Sequence, residues 1–382
     1  MEEKKNIPQI RFKGFTEKWE EHKLFDIASY RNGKAHENDI DKEGKYVVVN
    51  SKFVSTNGKI RKFSNKQNEP LLENEIAFVL SDVPNGRALA RTFIVDKSNK
   101  YTLNQRIAGI TPNKDINPYY LYILMNRNKY FLQFDDGVKQ TNLSMEDMEE
   151  FKEYYPKKNE QDKIGEIFKK IDSTITLYQN KHNKLTNFKE ALLQKMFPKN
   201  GKNIPEIRFK EFTKAWEQRT FEEIFNYERP DKYIVKCDKY NENSKIPVLT
   251  ANKAFILGYT DETNTYESES IIFDDFTLDS KFVDFPYMVK SSAIKILTLK
   301  NRNTDNLRFN YELLNSTKFE VLGHARHYIS VVQAKEVYTT NKAEQNKIAL
   351  ILAKIDKLIK LYENKIEKLE NIKKSLLEKM FV

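Results

Sequence analysis

At about 150 residues per domain, 382 residues allow two or three domains, each able to bury its own core. With 31% charged residues and no uncharged apolar run approaching the roughly 18 needed to cross a bilayer, neither a membrane span nor an N-terminal secretory leader is expected, and the chain reads as cytoplasmic. The single cysteine, Cys237, excludes an internal disulfide and a thiolate zinc cluster, while 65 Lys and Arg against 55 Asp and Glu, a formal charge of +10, favour a polyanionic partner.

In chain order, the first recognisable segment is IPQIRFKGFTEKWEEHKLFDI at 7–27, which recurs as IPEIRFKEFTKAWEQRTFEEI at 204–224. Eleven of the 21 positions are identical, among them Arg11/Arg208, Phe12/Phe209, Phe15/Phe212 and Trp19/Trp216. An insert at 28–136 follows, with strand-like runs at 45–50 (KYVVVN) and 75–80 (EIAFVL) and a short helix expected at 119–125. The segment 159–197 is free of proline and carries apolar or seam residues at alternating steps of four and three: Ile164, Phe168, Ile171, Ile175, Tyr178, His182, Leu185, Lys189, Leu192 and Met196. That spacing predicts a long coiled-coil helix ending at Pro198, in the linker PKNGKN. After 204–224 comes a second insert at 225–322, with strands expected at 271–273 and 293–299 and a helix at 310–314. It barely resembles the first. The chain closes on 343–381, a gapless repeat of 159–197 with 22 of 39 positions identical and the same seam: Ile348, Leu352, Ile355, Ile359, Tyr362, Ile366, Leu369, Lys373, Leu376 and Met380. Polar seam residues such as His182, Lys189 and Lys373 are expected to fix register, because sliding the helices would bury them unpaired.

The usual catalytic signatures are missing. The closest two of the 11 glycines, Gly33 and Gly44, are too far apart for a G-x-G or GxxxxGK[ST] phosphate loop. Asn117-Pro118-Tyr119-Tyr120 faintly resembles a methyltransferase loop that holds a flipped base, but it reads better as a helix start with proline in the first turn. His324-Ala325-Arg326-His327 has no acidic or thiol partners nearby in sequence for a metal site. Asp135-Asp136 and Asp274-Asp275 read as solvated turn acids. No catalytic residue and no metal site is assigned.

Nucleic acid would be met by loops that offer cations for phosphates and Arg, Lys, Asn or Gln for base edges. The candidates are Ser51, Lys52, Asn57, Lys59, Arg87, Arg91, Lys139, Gln140 and Asn142 in the first insert region. Those in the second are Asn252, Lys253, Lys281, Lys290, Arg326, His327 and Tyr328. Arg11, Arg31, Lys34, Arg208 and Arg308 add to the cationic material.

Two dissimilar inserts, each closed by E-Q-x-K-I, I-D-x-x-I-x-L-Y and a helix ending L-L-x-K-M-F, resemble a Type I restriction–modification specificity subunit over essentially the whole chain. The motif residues here are Glu160-Gln161, Ile171-Asp172 and 192–197, then Glu344-Gln345, Ile355-Asp356 and 376–381. The resemblance implies an α+β, pseudo-twofold protein: two tandem target-recognition domains separated by long helices that form an antiparallel coiled-coil spacer. Its expected division is 1–158 and 204–342 for the recognition domains, 159–197 and 343–382 for the conserved helical regions, and 198–203 for the linker. The seam residues from Ile164 to Leu192 and from Ile348 to Leu376 would form the coiled-coil and subunit interface. The family's role implies a non-catalytic subunit that reads an asymmetric bipartite site in double-stranded DNA, one half-site per domain. Partners would be two modification (methyltransferase) subunits and, through the complex, restriction (translocase/nuclease) subunits that methylate adenine or cleave. S-adenosylmethionine, ATP and Mg would be bound in those partners only. A structural coiled-coil oligomer, or an autonomous DNA-modifying enzyme, are the alternatives from other classes.

Overall fold

A computed structural model describes residues 6–199, 201–237, 239–251, 254–319 and 326–382. The chain divides into two compact units, Met1–Tyr178 with Lys365–Val382, and Gln179–Asn364. The division falls inside both long helices, Lys158–Lys195 and Lys342–Met380, so each unit contains the start of one helix and the end of the other. Each unit is α+β.

In the first unit a four-stranded antiparallel sheet runs Ala28–Asn32, Ile107–Pro112, Ile76–Val79, Thr92–Ile94. Beside it lies a three-stranded sheet in the order Phe63–Ser64, Tyr46–Val49, Tyr101–Leu103, its last pair parallel. Glu20–Lys23 and Lys152–Tyr155 pair antiparallel and close the unit. The strands expected at 45–50 and 75–80 are present, and so is the helix, at Pro118–Met125. Asn117 caps that helix by accepting from the Tyr120 amide (2.9 Å), with Pro118 in its first turn, so Asn117-Pro118-Tyr119-Tyr120 is a helix start.

The second unit repeats this plan despite the sequence difference between the inserts. Its four-stranded sheet runs Phe225–Glu228, Ile294–Leu299, Ser270–Asp274, Ser280–Val283. Its three-stranded sheet runs Ile256–Thr260, Ile246–Leu249, Met288–Val289, with the last pair again parallel. Glu217–Thr220 pairs with Glu336–Thr339. A sheet requires only that apolar side chains fall on its buried faces, so many sequences satisfy one strand order.

The repeated motifs are the joints of this frame. Glu160, buried at the start of the first long helix, receives both arms of Arg11 at 2.6 Å. In the second unit Arg208 forks onto buried Glu344 at 2.7 Å on each arm. The residue before each arginine pairs with the end of the other helix: the Ile10 amide donates to the Lys379 carbonyl, and that of Ile207 to the Lys195 carbonyl, both at 2.9 Å. The neighbouring glutamines face the insert. Gln161 accepts from the Asn117 amide (2.9 Å), and Gln345 from the Asn306 amide (2.8 Å) at the cap of helix Leu307–Ser316. Buried charge is tolerated where it is paired, and these forks leave neither partner exposed alone.

The seam has two kinds of position. Ile164 and Phe168 lie in the first unit's core with Trp19, Tyr120 and Phe131, where Leu376 packs on them. Ile348 and Leu352 enter the second core with Trp216 and Phe309, and Leu192 packs on it. These residues pack on the core of their own unit as well as lying on the seam of the long helices. Ile171, Ile175 and Ile355 are buried, whereas Tyr178, Leu185, Ile359, Tyr362, Ile366 and Leu369 are half-buried along the helices. Among the described residues, no helix is long and apolar enough to cross a membrane.

Candidate nucleic-acid interface

The first unit brings together two loops that are far apart in sequence. Ser81–Asp82 pairs antiparallel with Thr141–Asn142, and this joins the turn at 83–91 to the turn at 134–140. The Asp82 carboxylate organises the first turn, accepting from the amides of Val83 (2.9 Å), Ala88 (2.6 Å) and Leu89 (3.2 Å). Only glycine fits beside it at position 86, where a Cβ would fall 2.1 Å from Asp82 Oδ2. In the second turn Asp135 accepts from the Gly137 amide (3.1 Å), and Asp136 accepts from the amides of Val138 and Lys139. Those backbone bonds hold the Asp136 carboxyl below the usual carboxylate range. Asn85 ties the turns together, donating to the Gly137 carbonyl at 3.3 Å.

With the loop acids hydrogen-bonded to backbone amides, the joined turns present a mixed surface. Val83 and Val138 are 62% and 77% exposed, beside exposed Arg87, Lys139, Gln140 and Asn142. The Gln140 amide is aimed by hydrogen bonds to Ser81 Oγ (2.9 Å) and Asn142 Oδ1 (3.2 Å). Apolar contact and oriented amides are the groups that read base edges. Thus Arg87, Arg91, Lys139, Gln140 and Asn142, candidates from the sequence, share one surface. Ser51, Lys52, Asn57 and Lys59 lie on and after the short helix Ser51–Ser55. Its Phe53 and Val54 share a core cluster with Ala88 of the first turn.

In the second unit the candidates divide. His327 and Tyr328 are fully buried. Buried Asp275 draws them in: its carbonyl accepts from the His327 amide (2.9 Å), its carboxylate from the Tyr328 amide (2.8 Å), and Lys295 supplies the counter-charge at 3.2 Å. Their assignment to the DNA surface is therefore corrected, as is the reading of Asp274-Asp275 as solvated acids, both being buried. Arg326 does reach the surface, 6.0 Å from the ring of Phe276, with exposed Ile329 three residues on. Phe276 is itself 42% exposed. Lys281 is half-buried on strand Ser280–Val283, and half-buried Lys290 lies 5.9 Å from the Tyr240 ring. Asn252 and Lys253 lie outside the described residues.

Much of the remaining cationic material is structural. Arg11 and Arg208 close the forks described above. Arg31 forks onto Glu75 (2.5 and 2.7 Å) and reaches Glu69 (2.9 Å), which also binds Lys34. Arg308 meets Glu312 (3.0 Å) and Asp356, with Phe282 and Tyr311 rings against its guanidinium. Each of these arginines is matched by a carboxylate. Val83, Val138 and Phe276 were missed by the sequence reading; an apolar residue opening a polar turn, as in Val83-Pro84-Asn85-Gly86, was the available signal.

Comparison with known proteins bears on the family and the fold. The family model for the Type I restriction modification DNA specificity domain matches residues 16–187 and 213–371. The Type I restriction enzyme EcoR124I/EcoR124II specificity subunit of Escherichia coli is 45% identical over 121 residues, a stretch that spans 30% of this chain and 30% of that relative. The putative type I restriction enzyme MjaX specificity subunit of Methanocaldococcus jannaschii is 21% identical over 97% of this chain and 95% of its own. The crystal structure of the Type I restriction-modification S subunit from M. genitalium shares the fold, with a TM-score of 0.74 at 16% identity over 98% of this chain and 99% of the other.

Proposed function

Because the chain belongs to the Type I restriction modification DNA specificity family, we propose that it is the subunit that selects the DNA sequence for a restriction–modification complex. Each unit reads one half of a bipartite target in double-stranded DNA, and the two halves differ because the inserts differ. The observation that carries this reading is the repeated frame with unlike tips: Val83, Val138 and Gln140 with Arg87 on one unit, Phe276 and Ile329 with Arg326 on the other. The chain supplies recognition and no catalysis. Two modification subunits methylate adenine in the selected site, and restriction subunits join through the complex; S-adenosylmethionine, ATP and Mg belong to those partners. The complex works in the cytoplasm.

Base-resolution methylation sequencing tests the proposal, in cells carrying the modification subunit with this chain present or deleted. An asymmetric bipartite adenine motif that vanishes on deletion supports it. Methylation of that motif unchanged by the deletion overturns it.

A further inference from the structure

We propose that Arg87, Arg91 and Arg127 form a seat for one phosphate of the DNA backbone, which sets the register of the first unit on its half-site. The inference rests on the DNA-reading role proposed above and adds to it a division of labour: three arginines position the duplex, and the adjoining 137–142 turn meets the bases.

The Arg91 and Arg127 side chains reach the turn that carries Arg87. Arg127, in the left-handed region at φ 57°, donates its amide to the Ala90 carbonyl at 2.7 Å. Its guanidinium donates to the Leu89 carbonyl at 3.1 Å and reaches the Gly86 carbonyl at 3.5 Å. Arg91 is tethered to the same turn through the bond from its Nε to the Arg87 carbonyl. Ala90 is itself left-handed at φ 56°, a conformation costly for alanine and held here by the turn around it.

No carboxylate makes a direct ion pair with these three guanidinium groups among the described residues, whereas the half-buried arginines Arg11, Arg31, Arg208 and Arg308 all meet one. The acids of the two turns, Asp82, Asp135 and Asp136, are taken up by backbone amides. Burial, then the charges of Arg127 and Arg87, make the Arg91 guanidinium less basic than usual. Like charges held together in this way are relieved by an anion with several acceptor oxygens, and guanidinium forks match phosphate geometry. The turn joined to them presents Gln140 and Asn142, so a duplex whose phosphate sits on the arginines meets oriented amides next.

The test uses this chain assembled with its modification subunits and duplexes that carry the methylated motif or a scrambled sequence. Arg91→Gln, Arg127→Gln and Arg87→Gln are each expected to weaken both duplexes by a similar factor, about 5-fold, and the triple variant to reduce the salt slope of log K by about 0.9, the share of one phosphate. The methylated sequence stays the same. Single methylphosphonates are then scanned along the first half-site: one position weakens the wild-type complex at least as much as Arg91→Gln does, and weakens each single variant less than it weakens the wild type. A wild-type complex without preference for its motif overturns the DNA-reading role itself. A wild type that prefers its motif, with variants of unchanged affinity and slope, overturns the seat alone. Losses at Arg91 and Arg127 that follow a lowered melting temperature, with Arg87→Gln binding as wild type, also overturn it. So does competition by inorganic phosphate beyond that of chloride at equal ionic strength, which marks a free-phosphate site.

Discussion

Lys373 on the second long helix donates to Asp172 on the first at 2.5 Å. The repeat makes the reciprocal exchange: Lys189 of the first helix bonds Asp356 of the second at 3.0 Å. Each pair lies within one compact unit. Lysines at positions where the heptad asks for apolar residues are thus matched to the aspartates of the repeated Ile-Asp motif. A helix slipped by one turn would leave both charges unpaired, so the pairs select one register.

Charge reversal tests that role. Asp172→Lys and Lys373→Asp are each expected to destabilise the first unit, whereas the double variant regains most of the loss. A double-mutant cycle by urea unfolding should give a coupling energy of about 1–3 kcal/mol. Additive losses would show that the pair does not act as one.

The buried forks are expected to matter more. Glu160→Ala leaves Arg11 without its carboxylate at a nearly closed site, the Arg11 side chain being 11% exposed. Loss of one partner of a buried pair costs about 3–5 kcal/mol. Glu344→Ala should do the same in the second unit through Arg208. Unfolding midpoints check both; a loss below about 1 kcal/mol would contradict the joint role, being the scale of a surface pair.

Acid should loosen the first unit through Glu75. Burial opposes its ionisation, but the Arg31 fork, the Leu72 amide and the Thr111 hydroxyl overcome this and hold its carboxyl below the ordinary 4.5. A carboxyl depressed in the folded state stabilises fully above its unfolded pKa, and that contribution fades as pH falls through the folded one. Glu75→Gln is therefore expected to be less stable than wild type at neutral pH, with a gap that narrows below about pH 4.5. Urea midpoints across that range give the answer; a gap independent of pH would reject the assignment.

The two proposed reading surfaces should act separately. Gln140→Ala is expected to relax the methylated motif in one half-site only, and Arg326→Ala in the other only. Replacing one paired base contact costs about 1–3 kcal/mol of discrimination. Methylation sequencing of each variant reports this directly. A change in both halves from one substitution would contradict one unit per half-site.

The repeat, the long helices and their seam are legible in the amino-acid sequence because they are periodic: 22 identities in 39 positions need no knowledge of the third dimension. The same holds for local punctuation such as Asn117 before Pro118, whose cap bond spans three residues. The shared sheet order of the two inserts was not legible, because strands constrain which faces are apolar and leave the residues themselves free.

For the interface, residue chemistry alone named Arg87, Arg91, Lys139, Gln140 and Asn142, and it equally named His327 and Tyr328. Polar type tells what a side chain can bind, not which way it points. Asp275, 52 residues from His327, turns that segment inward. The partners of Glu160 and Glu344 lie 149 and 136 residues away. Periodicity and capping act over a few residues, so the sequence by itself determined the repeat, the helices and their register-setting charges. Which arginines are paired with carboxylates, and which are bound only to the carbonyls of a turn, was decided by tertiary contacts between distant segments, because a charge is satisfied by whatever the fold brings beside it.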